Sequence, residues 1–177
     1  MIGVLVSGEG TNLQALIDAG LPIAAVASNR ADVPALERAD RALIPNRVYV
    51  LEDFPDRHAR DREMADWLQL RGVDLVVLAG YMHLLTPVFL ERFPGRIVNV
   101  HPSLLPDFPG TQPIDDALAA GVETTGVTVH YVDEGIDSGR VIRQEPVVVE
   151  PRDTLVSRIH AVEHRLLPEV VRELCEH

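Results

Sequence analysis

Apolar residues in this chain fall into short, nearly continuous runs, separated by longer stretches in which apolar and polar positions alternate at helical spacing. Runs such as Ile2–Val6, Leu75–Ala79 and Ile97–Val100 have strand length and the character of strands buried on both faces of a parallel sheet. Strands are expected near 2–7, 22–27, 48–51, 74–79 and 96–100, and helices near 11–19, 33–42 and 56–71. The helix at 56–71 shows the clearest apolar side, with Ala59, Met64, Trp67, Leu68 and Leu70. Past residue 110 the alternation changes. A helix at 112–120 precedes two β-rich runs, Thr125–Val132 and Val141–Val149, whose junction Asp133–Gly139 is rich in turn residues. A helix at 152–174, with Arg152 or Asp153 near its start, closes the pattern. These elements predict an α/β fold: a Rossmann-like open, mostly parallel sheet with helices on both faces, a C-terminal antiparallel β portion and a closing helix.

With 177 residues and 46% apolar content, the chain fits one compact domain with a substantial core, 1–177, and no internal repeat or linker divides it. The formal net charge of −11 argues against a nucleic-acid surface, which needs massed Lys and Arg. Any anionic ligand has to be held locally, by backbone amides and one or two arginines. The one cysteine, Cys175, excludes an intramolecular disulfide and suggests no thiol chemistry. Met1 leads directly into a strand-like run without a basic flank or a long apolar segment, so a cytoplasmic protein without membrane partners is expected.

Two motifs carry chemistry. In Asn99-Val100-His101-Pro102-Ser103, residues two apart on a strand share a face, so the Asn99 carboxamide and the His101 imidazole project together and Pro102 ends the ladder. A donor and a titratable group side by side suit polarising a carbonyl and moving a proton. Taken alone, the same pair also fits a satisfied strand-to-loop turn. Ser7-Gly8-Glu9-Gly10-Thr11-Asn12-Leu13 joins the first strand to a helix and offers free N–H groups to an anion. Leu13 in place of a third glycine argues against a dinucleotide site, and the P-loop lysine is missing, so a phosphate monoester is the better fit. An ordinary βα turn is the competing reading.

The segments Ser7–Gln14, Leu78-Ala-Gly-Tyr-Met82, Asn99–Pro106 and Asp133–Gly139, in this order and at these separations, resemble the phosphoribosylglycinamide formyltransferase family. The Asn-x-His and later Asp pattern is shared by the whole folate-dependent formyltransferase superfamily. The resemblance covers nearly the whole chain, from Val4 to about Val171. It implies formyl transfer from 10-formyltetrahydrofolate, a co-substrate, to the amine of 5-phosphoribosylglycinamide, with no metal. Asn99, His101 and Asp137 are the implied catalytic group. Gly10, Thr11 and Asn12 are implied to hold the phosphate, and His160, Ala161, Val162 and Glu163 the sugar and glycinamide portions. By position alone, Glu163 reads as a solvated helix face. Folate is implied to contact Arg57, Met82, His83, Leu84, Leu85, Asn99, Asp133, Glu134, Gly135, Ile136 and Asp137. On this reading 1–100 is a phosphate-binding βαβ half and 101–177 a catalytic and folate-loop half.

The chain departs from the family where His83 replaces a frequent arginine, where Thr111-Gln112-Pro113-Ile114 replaces a histidine-rich stretch, and where it stops soon after the helix bearing Glu163. His160 and His164 share a helical face, but no third ligand accompanies them and H-E-x-x-H is absent, so no metal is expected. The alternatives are a formyltetrahydrofolate hydrolase, a methionyl-tRNA formyltransferase-like enzyme, or a non-catalytic nucleotide-binding domain. The partners expected are small molecules alone, acting on a monomer or homodimer.

Overall fold

The computed structural model describes residues 1–177. Strand order is β3 (Asn46–Val48), β2 (Ile23–Ser28), β1 (Ile2–Val6), β4 (Leu75–Leu78), β5 (Ile97–His101), β6 (Thr124–Tyr131) and β7 (Val141–Val148), and the chain divides into two compact units, Met1–Val98 and Asn99–His177.

In the N-terminal unit, β1 (Ile2–Val6) pairs in parallel with β2 (Ile23–Ser28) on one side and β4 (Leu75–Leu78) on the other, and β3 (Asn46–Val48) extends β2. Every residue of β1 and β4 is buried, as the continuous apolar runs require of strands covered on both faces. The helices are α1 (Thr11–Asp18), α2 (Pro34–Arg41), α3 (Arg57–Leu70) and the single turn α4 (Pro87–Leu90). Proline at the first helical position starts both α2 and α4. Asp56 caps α3 by accepting from the Ala59 N–H at 2.8 Å.

Two expectations in this unit are corrected. The strand expected at 48–51 ends at Val48, because its template β2 ends at Ser28. The Tyr49 N–H still reaches the Ser28 carbonyl at 2.7 Å, and a 3₁₀ turn, Leu51–Asp53, follows. Leu70 does not join the apolar side of α3 and is 86% exposed, since a residue two positions beyond Leu68 is turned some 200° away. That buried stripe instead runs through Arg60, Asp61, Met64, Ala65, Trp67 and Leu68. The turn α4 was not anticipated.

In the C-terminal unit, β5 (Ile97–His101), which begins just before the boundary, delivers Asn99 and His101 and stops before Pro102. Helix α5 (Pro113–Ala120) leads to β6 (Thr124–Tyr131), which pairs antiparallel with β7 (Val141–Val148). A 3₁₀ turn over Arg152–Thr154 precedes the long helix α6 (Leu155–Cys175). That helix therefore starts slightly later than the pattern at 152 implies. It buries Leu155, Ile159, Leu166, Leu167, Val170 and Val171, at i, i+3, i+4 and i+7 spacing. No helix is long and apolar enough to cross a membrane.

Candidate active site

Period-two alternation in β5 sets Asn99 and His101 on one face, and the C-terminal unit gathers two further side chains, Asp137 and His130, around them. His101 is buried, with Nε2 2.8 Å from the Phe108 carbonyl oxygen and Nδ1 3.6 Å from Asp137 Oδ2. Asp137 Oδ2 accepts the Gly110 N–H at 2.9 Å. Its Oδ1 stands 3.7 Å from Nε2 of His130, whose Nδ1 lies 2.9 Å from the Tyr131 carbonyl. A carbonyl can only accept, so His130 carries its proton on Nδ1 and turns a lone pair on Nε2 toward the Asn99 amide nitrogen at 3.4 Å. Burial is the main reason the His130 pKa lies below the ordinary 6.5, with Asp137 pulling the other way.

The loops that hold these groups are tightly constrained. Thr128 on β6 donates to the Ser103 carbonyl at 2.7 Å and accepts from the Leu105 N–H and the Gln144 amide, which pins the chain just after β5. Asp133 Oδ1 accepts from the Gly135 N–H and the Ser138 hydroxyl, closing the tight loop that presents Asp137. Asp137 itself adopts φ 52°, a left-handed conformation that short polar residues tolerate. A Cβ at Gly139 would fall 1.7 Å from the Tyr131 carbonyl oxygen, so only glycine lets the loop return beside β6.

His130 is a member of the site that the sequence motifs do not point to. The available signal was Thr128-Val-His130, a period-two pair on a strand, but nothing local ties it to residues 99 and 137. Glu163 is 6% exposed, which corrects its reading as a solvated face. In the same helix His160 and Ala161 are exposed and Val162 is half-buried. Of the loop residues, Asp133, Glu134, Gly135 and Ile136 are exposed.

The glycine loop belongs to the N-terminal unit. Gly10 starts α1 at φ 75°, and a Cβ there would lie 2.6 Å from Ala35 Cβ. The Ala35 N–H donates to the Gly8 carbonyl and Arg38 to the Glu9 carbonyl, so α2 holds the loop from behind. No side chain caps α1. Thr11 is exposed, and the Asn12 Oδ1 is buried with no hydrogen-bond partner. Ser7 donates to Asn29 and accepts the Met82 N–H at 2.9 Å, which ties this loop to the segment after β4. There Met82 and Leu84 are 60% and 51% exposed, His83 is half-buried and Leu85 is buried. Arg57 donates to the Leu84 carbonyl at 2.5 Å, beside a cavity of about 370 Å³ that Arg57 lines with Leu51, Phe54 and Thr86.

A carboxamide, two imidazoles and a carboxylate gathered in the C-terminal unit are groups able to polarise a carbonyl and move a proton, which is what acyl transfer requires. The family model described as formyl transferase matches residues 1–171, and the chain belongs to that family. Within it, the chain is 42% identical to the phosphoribosylglycinamide formyltransferase of Haemophilus influenzae, over 99% of this chain and 87% of that one. It is 41% identical to the Escherichia coli protein of the same name, over 96% and 84%. A solved structure of glycinamide ribonucleotide transformylase 1 from Symbiobacterium toebii superposes with a TM-score of 0.96 at 47% identity, covering 99% of this chain and 87% of that one. The chain also matches trifunctional purine biosynthetic proteins. It is 45% identical to that of Drosophila pseudoobscura pseudoobscura but spans only 13% of its length.

Proposed function

We propose that this chain is a phosphoribosylglycinamide formyltransferase that moves the formyl group of 10-formyltetrahydrofolate to the glycinamide amine, a step of purine synthesis in the cytoplasm, and that both units serve this one reaction. The observation that carries the reading is the approach of Asp137 to both His101 and His130, the latter beside Asn99, in a chain whose relatives over nearly its whole length bear this name.

In the reaction, the amine nitrogen attacks the formyl carbon and the carbonyl electron pair moves onto oxygen. Asn99 has a second amide N–H beyond the one facing His130, and that N–H meets the developing oxyanion. His101 Nδ1, lying beyond hydrogen-bond range of Asp137, supplies a second donor to the same oxygen when protonated. Asp137 sits beside it as the relay that takes a proton from the attacking amine and passes one to the departing folate nitrogen, directly or through water. Collapse of the tetrahedral adduct then breaks the bond to that nitrogen and leaves a formamide and tetrahydrofolate. Gly10, Thr11 and Asn12 hold the phosphate through first-turn N–H groups, and His160–Glu163 hold the sugar and glycinamide. Arg57, Met82–Leu85 and Asp133–Asp137 receive the folate.

The test is turnover of purified protein with both substrates, following tetrahydrofolate and formylated product. Equimolar release is expected. Formate released without the amine substrate would make the protein a hydrolase, and nucleotide binding without turnover would make it a binding module.

A further inference from the structure

One polar cluster of the N-terminal unit, built around a buried ion pair, takes no part in the bond-making steps above. Arg60 and Asp61 on α3 are both fully buried, and Arg60 Nε and Nη2 donate to Asp61 Oδ1 at 3.0 and 2.9 Å. Asp61 Oδ2 accepts both the N–H and the hydroxyl of Thr86, each at 2.8 Å. The remaining guanidinium nitrogen, Nη1, meets His83 Nδ1 at 2.5 Å. The pair therefore grips the segment after β4 at two points, one in its middle and one at its end.

A guanidinium has donors only, so a ring nitrogen facing it must accept, and the imidazole proton has to sit on Nε2. Replacing a buried ion pair by apolar residues is often neutral for stability, so stability alone is a weak reason for this one. Orientation of the segment is the better account. We propose that Arg60 is a positioning residue: it fixes His83 as the neutral Nε2–H tautomer and so presents one oriented N–H to an acceptor oxygen of the folate. The proposal rests on the folate reading of Met82–Leu85. His83 lies between two exposed apolar residues, Met82 and Leu84, and the edge of the Tyr81 ring packs against it with centroids 6.0 Å apart. Burial, Arg60 and Arg57 all disfavour the imidazolium, against opposing pulls from Asp61 and Glu52.

The test uses the full chain. Side-chain ¹⁵N spectra at neutral pH, with His83→Gln for assignment, are expected to show His83 as a neutral Nε2–H ring, and Arg60→Met to convert it to a tautomer mixture. In steady state, Arg60→Met and His83→Phe should each raise KM for 10-formyltetrahydrofolate roughly tenfold. KM for phosphoribosylglycinamide should stay within about twofold, and the double variant should be no worse than either single one. An Nδ1–H or doubly protonated His83 in the parent overturns the proposal, as does an unchanged folate KM in His83→Phe. If Arg60→Met does not fold, the parent spectrum and His83→Phe carry the decision. A parent that transfers no formyl group would sink the folate reading, while the tautomer spectrum would still decide whether Arg60 sets His83.

Discussion

Asp137 is the residue on which the proposed chemistry turns, because it alone faces both imidazoles, at 3.6 and 3.7 Å. Neither distance is a hydrogen bond, so the carboxylate acts on the rings through its field and stays available to a substrate proton or a water. Removal of His101 tests this division of labour. His101→Ala is expected to lower kcat by about 10²–10³-fold while costing about 1 kcal/mol of stability, the loss of its bond to Phe108. Rapid-quench kinetics and urea unfolding separate the two effects, and activity equal to the parent would remove His101 from the reaction. His130 makes a different prediction. Its pKa is depressed below 6.5 in the folded protein, so between those two values the unfolded chain binds more protons than the folded one. Stability is therefore complete above pH 6.5 and is lost as the pH falls through the depressed value; His83 shifts in the same direction. The urea midpoint should fall on acidification from pH 8, and His130→Asn should flatten that fall. A midpoint that rises on acidification would contradict the assignment.

Elements differed in how far they could be read from the sequence, and the difference follows the range of the interactions that set them. Strands β1, β4 and β5 were legible because burial on both faces leaves a continuous apolar run. The end of β3 was not, since it depends on where its neighbour stops. Arg60 and Asp61 look like solvent-facing residues until their partners 23 and 25 positions away are known. In the site, the shared face of Asn99 and His101 was legible from strand periodicity, whereas Asp137 was nominated only through family resemblance and His130 not at all. A turn such as α4, one helical turn long, carries too few residues to establish a period. Two predictions belong at this scale. Asp56→Ala removes the cap of α3 and is expected to cost about 1 kcal/mol, measured by chemical denaturation, with little effect on turnover. Gly10→Ala places a methyl group against Ala35 at a positive φ, so it should displace the loop and raise KM for the phosphorylated substrate more than KM for the folate. An equal rise in both would point to general loosening.

At the scale of the whole molecule, charge sets the balance. The net charge of −11 opposes compaction by self-repulsion, while the visible ion pairs of β7 and α6, Arg165 with Glu145 and Arg143 with Glu173, are partly exposed. Pairs of that kind contribute about 0.2–1 kcal/mol each and are screened by salt. Added salt therefore weakens a small stabilising term and a larger destabilising one together. The buried Arg60–Asp61 pair is shielded from both effects, because ions screen exposed charges far more than buried ones. Raising sodium chloride from about 0.02 to about 0.5 M should thus increase Tm by a few degrees, as the Debye length shrinks well below the spacing of the surface carboxylates. Under the same conditions Arg165→Ala should shift stability by less than about 1 kcal/mol at either salt concentration. A Tm that falls by several degrees with salt would mean that the surface pairs outweigh the excess negative charge, and the stability of the fold would then have to be attributed to them.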